Sequence, residues 1–268
     1  MYPSRIVCLT EESTELLYLL GEEKRIVGIS AYTVRPPQAP EEKPVVSAFI
    51  HGSIRKILAL QPDLVIGFSD IQADLARDLI RAGLDVWISN QRSLQEIFQT
   101  MFRLGCLVGK EERTRQLISG WQEKLQMMQP EPPKARPRVF FQEWDEPIIS
   151  GIRWISELIE IAGGEDIFPE GKEAALAKNR ITTRAEVCER NPDIIIGSWC
   201  GKPMDTDWVR QAFCGTRAVE ENRIYEMDPA IILQPGPALF EAGFAELRQL
   251  LGRIGATRDR NSPGPGYE

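Results

Sequence analysis

Gln61-Pro62-Asp63-Leu64-Val65-Ile66-Gly67 and Asn191-Pro192-Asp193-Ile194-Ile195-Ile196-Gly197 write the same pattern twice. In each, Pro-Asp stops whatever precedes it, and an unbroken apolar run ending in glycine follows. A short run without polar alternation reads as a strand buried on both faces, as in a parallel sheet. Two further stretches repeat in the same order. Arg138-Val139-Phe140-Phe141 echoes Arg5-Ile6-Val7-Cys8, and Ser156-Glu157-Leu158-Ile159-Glu160-Ile161-Ala162-Gly163 echoes Thr14-Glu15-Leu16-Leu17-Tyr18-Leu19-Leu20-Gly21. The spacing differs among the pairs while the order holds, which predicts two similar α/β lobes.

Outward from these anchors, strand and helix patterns alternate. Strands are predicted at Arg5–Leu9, Arg25–Ile29, Leu64–Phe68 and Val86–Ile88. Helices are predicted at Ser13–Leu20, Ser53–Leu60 and Ala73–Ala82, with Gly21 and Gly83 as stops. Strands separated by helices of about ten residues imply βαβ crossovers and a parallel sheet. Pro36, Pro37, Pro40 and Pro44 predict an extended, non-helical return. Ser93–Met128 is helical in pattern, interrupted near Gly105 and Gly109, and its second piece spans roughly 27 Å. Pro130, Pro132, Pro133 and Pro137 mark a boundary. The fold class is therefore α/β, with two lobes, each a central parallel sheet flanked by helices, joined by one long backbone helix. The expected divisions are residues 1–108, a connecting helix over 109–130, a second lobe over 137–254 and a disordered polar tail over 255–268.

The 268 residues suffice for two lobes of ordinary size. At 43% hydrophobic and 26% charged residues, the chain has enough apolar surface to fold. A net charge of −7 argues against nucleic acid and against an anionic membrane surface as partners. No apolar stretch approaches the roughly 20 residues of a membrane span. The amino end has no leader pattern, so a cytoplasmic location is expected if Met1 is the native start, and a periplasmic or cell-surface one if a leader was removed. Five scattered cysteines without a CxxC pair favour a reducing compartment and argue against a thiolate zinc site. Cys8, Cys106 and Cys188 read as small buried hydrophobes.

Ligands of open parallel sheets bind beyond the carboxyl ends of the strands. Two such lobes facing each other would make a cleft for a small molecule. Past the strands of the first lobe come Glu11 and Glu12, Tyr32, the Phe49-Ile50-His51 segment and Phe68. In the second come Trp144, Trp199 with Cys200, and Asp228. An aromatic ring at nearly every strand exit suits a broad, flat, partly apolar ligand. The chemistry of catalysis is sparse. A single histidine excludes HExxH, and no GxSxG, GxxxxGK[ST] or GxGxxG occurs. Cys200 and His51 could form a nucleophile and base, or Cys200 is a loop thiol without that role. His51 is an axial ligand for a metal carried inside the ligand, an exposed loop residue, or a hydrogen-bonding group.

Over roughly residues 5–252 the chain resembles the helical-backbone (type III) substrate-binding proteins, and within them the cobalamin-binding branch. The resemblance rests on Ser13-Thr14-Glu15-Leu16, Ser30-Ala31-Tyr32 followed by Pro36-Pro37-Gln38-Ala39, Leu58–Ile66, Ala162–Phe168 and Asn191-Pro192-Asp193. The Pro-Asp strands are shared with siderophore and haem receptors, whereas the Ser-x-Tyr…Pro-Pro-Gln-Ala segment is closer to the cobalamin branch. It implies a non-enzymatic protein that holds a corrin ring between its lobes, with cobalamin as ligand and no intrinsic cofactor. The alternatives are a siderophore or haem receptor, or an enzyme acting on a tetrapyrrole. Tyr32 matches a ring contact of the family, Phe49 and Phe68 stand where tryptophan is common, and Asp228 matches a carboxylate near the ligand amides. Glu12, His51, Trp144 and Trp199 complete the expected ligand-binding set, with His51 as the axial cobalt ligand. Glu11 and Glu12 depart from the small or proline residues usual there. The family docks on an ABC permease through one surface glutamate per lobe. Here Arg55 and Lys56, and Arg184-Ala185 beside Glu186, occupy those places, so the docking glutamates are absent; the expectation is a carrier or store of cobalamin that no longer feeds a transporter, with an ABC permease partner as the alternative.

Overall fold

The computed structural model describes residues 2–129 and 136–261. The chain divides into two compact units. The first takes residues up to Gln122 together with Gln234–Ala238; the second takes Glu123–Leu233 and the chain from Leu239 on.

The first unit is built on five parallel strands, β1 (Ile6–Cys8), β2 (Ile26–Ser30), β3 (Val45–Ser47), β4 (Leu64–Phe68) and β5 (Val86–Ser89), in the order β3-β2-β1-β4-β5. Its helices are α1 (Glu11–Leu19), α2 (Ala39–Glu42), α3 (Ile54–Ala59), α4 (Ala73–Arg81), α5 (Leu94–Leu107) and α6 (Glu111–Met127). Side chains alternate across a strand, so each strand feeds two cores. Val7, Leu9 and Val65 pack with Ile57 of α3 and Leu75 and Leu79 of α4. On the other face, Ile66 and Trp87 meet Leu16 of α1 and Met101 and Leu104 of α5. The start of α5 carries a capping box, with Ser93 and Glu96 each bonding the other's backbone N–H.

Two expectations in this unit needed correction. The proline-rich return is not wholly extended. It forms α2, with Pro40 in the first turn where its missing N–H costs no intrahelical bond, and then the unforeseen strand β3. Gly105 does not interrupt α5. It lets α5 approach Thr114 of α6, whose Oγ1 would lie 2.0 Å from an added Cβ. The chain turns instead at Gly109, at φ +72°.

The second unit carries β6 (Arg138–Trp144), β7 (Ile149–Ser150), β8 (Glu165–Asp166), β9 (Ile194–Gly197) and β10 (Ile224–Glu226), ordered β10-β9-β6-β7 with β8 also on β6. The expected sheet is parallel, but β7 runs antiparallel to β6 and makes it mixed. Its helices are α7 (Arg153–Ile161), α8 (Arg184–Arg190), α9 (Thr206–Ala212), α10 (Arg217–Glu220), α11 (Pro229–Ile232) and α12 (Phe244–Asn261). Phe140 packs edge-on to Phe213, with centroids 5.4 Å apart, and within 5.6 Å of Phe168. This cluster includes Val187 of α8 and Val209 of α9. Val139 meets α7 and α12 across Gly164, where a Cβ would touch Ile159 and Leu251. The helix α12 continues to Asn261, past the expected start of the tail at 255. Residues 262–268 and 130–135, on which the rest of the tail and most of the proline boundary fall, lie outside the described residues. The unit boundary falls after Gln122, inside α6, so the long helix belongs to both units. Cys106 is exposed rather than buried.

The repeated Pro-Asp has one physical role in both units. Asp63 accepts hydrogen bonds from the backbone N–H groups of Ser4 and Arg5, at 2.8 and 2.9 Å, where β1 begins. Asp193 accepts one from the Arg138 N–H at 2.7 Å, where β6 begins. Burial opposes ionisation of Asp63, but those amides outweigh it and hold its carboxyl below the usual range. Each aspartate thus satisfies backbone donors at the amino end of a sheet, opposite the end where ligands bind.

Candidate functional site

In the first unit the strand order reverses between β1 and β4, which makes their carboxyl ends the switch point. Gln72, fully buried, ties the neighbouring exits together. Its Nε2 donates to Phe49 O at 2.6 Å and Leu9 O at 3.4 Å, and its Oε1 accepts from Phe68 N at 2.9 Å. A glutamine in a polar turn gives no hint of this in sequence.

The exit of β1 leads directly into α1. Glu11, Glu12 and Glu15 are all buried in its first turns. Gln234 Nε2 donates to Glu11 Oε1 at 2.9 Å, and the Ala238 N–H donates to Glu15 Oε2 at 3.0 Å. Arg35 Nε donates to Glu15 Oε1 at 2.8 Å. Gly236 lies so close that a Cβ there would sit 2.5 Å from Glu12 Cβ. Glu12, expected at an open strand exit, is therefore covered by the segment Gln234–Ala238. It keeps one hydrogen bond, from Thr10 Oγ1 at 2.6 Å, while its Oε2 has no partner. Burial pushes its carboxyl up to about 8, with the Glu11 charge adding to the effect. Burial raises Glu11 as well.

Tyr32, past β2, is 47% exposed. Past β3, Ala48 N bonds His51 O at 2.7 Å and Ser47 bridges Gly52, closing a tight loop. Phe49 is half-buried at that loop and His51 is exposed. Phe68 is buried, with the Arg92 guanidinium 5.1 Å from its centroid. Arg92 also donates to Ser69 Oγ and Asp70 Oδ1, at 3.1 and 2.9 Å. The Phe68 ring is thus a cation–π partner of a residue that sequence reasoning missed. An open cavity of about 620 Å³ lies between α4 and β5, lined by Asp70, Arg77, Ile80 and Ile88, and contains none of the expected site residues.

In the second unit, Trp144 is the last residue of β6, paired with Ile149 of β7; it is half-buried, and its Nε1 donates to Glu146 O at 3.0 Å. Trp199 is only 1% exposed. It belongs to the core with Phe140, edge-on to Trp208 at 6.1 Å, and does not present its ring as expected. Lys202, also missed in sequence, places its Nζ 4.4 Å from the Trp144 centroid and 4.9 Å from that of Trp199. The same ammonium bonds both Asp145 oxygens, at 2.9 and 2.7 Å. Burial opposes ionisation of Asp145, yet Lys202 and the Glu146 amide outweigh it and hold the carboxyl low. Asp228 is exposed and caps α11, accepting from Ala230 N at 2.8 Å. Cys200 is exposed. Among the described residues, no group of three or more His, Cys, Asp or Glu side chains could hold a metal ion.

Two helix starts, one in each unit, correspond. Ser53 caps α3 and Thr183 caps α8. Lys56 and Glu186 occupy equivalent third positions, and only Glu186 completes a capping box, accepting from Thr183 N at 2.8 Å. Arg184 lies over the Trp208 ring at 5.2 Å.

Each of the two α/β units thus carries aromatic residues at or beyond the carboxyl ends of its strands. The chain belongs to the periplasmic binding protein family, whose profile matches residues 6–231. It is 26% identical, over 92% of its length and 79% of the relative's, to the uncharacterised ABC transporter substrate-binding lipoprotein YvrC of Bacillus subtilis. It is 25% identical, over 85% of its length and 82% of the relative's, to the vitamin B12-binding protein of Yersinia pestis. The crystal structure of the periplasmic vitamin B12-binding protein BtuF of Vibrio cholerae superposes with a TM-score of 0.72 at 25% identity, covering 94% and 98% of the two chains. The periplasmic haem-binding protein RhuT of Roseiflexus shares the fold at a TM-score of 0.77 and 20% identity, covering 94% and 99%.

Proposed function

We propose that this protein captures a corrinoid, cobalamin or a close analogue, and serves an ABC permease as its substrate-binding component, without catalytic turnover. The likeness to the vitamin B12-binding protein over more than four-fifths of both chains carries this reading. The exposed ring of Tyr32 and the half-buried rings of Phe49 and Trp144 support it, as flat apolar faces at strand exits. Asp228 takes the amide side chains, and His51 supplies an axial cobalt ligand from its exposed loop. The setting is outside the cytoplasmic membrane, by analogy with the lipoprotein relative. No described helix is long and apolar enough to cross a membrane.

Titration with cyanocobalamin, followed by absorbance, is expected to saturate; no binding at tens of micromolar rejects the ligand. Hydroxocobalamin is expected to show a further spectral change that disappears in His51→Ala. A change that persists in the variant removes His51 as the ligand to cobalt. Haem is the second reading, favoured by the exposure of both Tyr32 and His51, two side chains of the kind that bind haem iron. A Soret band on adding haemin, with no response to cyanocobalamin, would select it.

A further inference from the structure

Gln142 is fully buried, and neither its Oε1 nor its Nε2 has a hydrogen-bond partner. Leaving a buried polar group unmatched forfeits its hydration with nothing in return, so such a residue calls for an explanation. Its position supplies one. Gln142 pairs in parallel register with Gly197, the last residue of β9. Paired residues of a ladder point to the same face, so the Gln142 carboxamide lies on the face that Gly197 leaves open. On that face Met204 fills the missing side chain, its Sδ only 2.4 Å from where a Gly197 Cβ would be. Trp199 contributes a second unmatched donor, its Nε1, from the same core cluster as Met204.

Met204, which fills this face, belongs to the short segment Cys200–Asp205. The segment turns at Gly201, at φ +81°. It is held at Lys202 by Asp145 and two indole faces, and at Met204 by a bond from its N–H to Glu226 Oε1 at 2.8 Å. Lys202 is partly exposed, so its hold is the hydrated kind that yields at modest cost.

We propose that Gln142 is a specificity-determining residue that reads a primary carboxamide on the rim of the ligand once the 200–205 segment draws back. This rests on the corrinoid reading and sharpens it. A carboxamide presents one donor and one acceptor side by side, and only a ligand group with the complementary pair satisfies both. A primary amide does so. A carboxylate, as on haem, would satisfy Nε2 but set its negative oxygen against Oε1. The corrin periphery bears primary amides.

The test compares wild type with Gln142→Leu, which keeps the size and removes both polar atoms. The variant is expected to be as stable as wild type or more so, because an unmatched amide is gone. Its Kd for cyanocobalamin is expected to rise about tenfold or more. In parallel, wild type is titrated with cyanocobalamin derivatives in which the side-chain amides are hydrolysed to carboxylates one at a time. One of them is expected to lose about tenfold or more relative to the parent, and this arm decides the matter if the variant fails to fold. Equal affinities for the variant and for every derivative overturn the role of Gln142 and leave the corrinoid reading intact. Wild type that does not bind cyanocobalamin overturns both.

Discussion

Trp199→Ala is expected to lower the stability of the second unit by about 3–5 kcal/mol, the usual cost of removing a large aromatic side chain from a packed core. The indole is 1% exposed and packs with Phe140, Met204, Val209 and Phe213. Its edge-on contact with Trp208 is lost at the same time, and so is one of the two rings beneath Lys202. The neighbours cannot close such a gap, because Trp208 is itself held edge-on to Phe213 at 6.0 Å. Urea unfolding followed by circular dichroism measures the effect. A midpoint within error of wild type would show that the ring is not a core element. Trp144→Ala removes a half-buried ring, so its effect should fall on ligand affinity and leave the urea midpoint close to that of wild type.

Glu12→Gln is expected to raise stability in alkaline solution by on the order of 2–4 kcal/mol and to leave it nearly unchanged near pH 4. The sign follows from proton linkage. The folded state holds the Glu12 proton up to about pH 8, whereas an unfolded chain releases it near the ordinary value of 4.5. Between these two values the native state binds more protons than the unfolded state, so stability falls as pH rises through the interval and levels off above it. Glutamine cannot ionise, and the slope disappears with it. The groups facing Glu12 are Thr10 from the end of β1, Glu11 from its own helix, and Gln91 and Pro235 across a cavity of about 20 Å³. None of them carries a positive charge that would stabilise the anion. Glu11, also raised by burial, leaves a smaller residual slope. Parallel pH profiles of the urea midpoint for wild type and variant would disprove the assignment.

The architecture was legible because its signals are local. The run Leu64–Phe68 is a strand with the bounds its pattern predicts. The two Pro-Asp repeats begin equivalent strands, since a buried apolar run and an aspartate that satisfies neighbouring N–H groups need only a few residues to declare themselves. Short elements such as β3 and α2 escaped for the converse reason. Three or four residues beside prolines carry too little periodicity, and pairing with β2 defines β3.

Sequence placed Tyr32, Phe49, His51, Trp144 and Asp228 at strand exits, and each keeps some access to solvent. It could not say which rings turn inward. Phe68 and Trp199 are buried because Arg92 and the 200–205 segment come over them. Glu12 is buried because Gln234–Ala238, from the far end of the chain, comes to lie on α1. The amino-acid order by itself determined the alternation of strands and helices and the twofold α/β plan, because backbone geometry and the alternation of side chains act within a few residues. Only the tertiary structure decided which of those strand-end groups are exposed, matched with a cation or left without a partner, because solvation and charge at each one depend on residues brought close from distant parts of the chain.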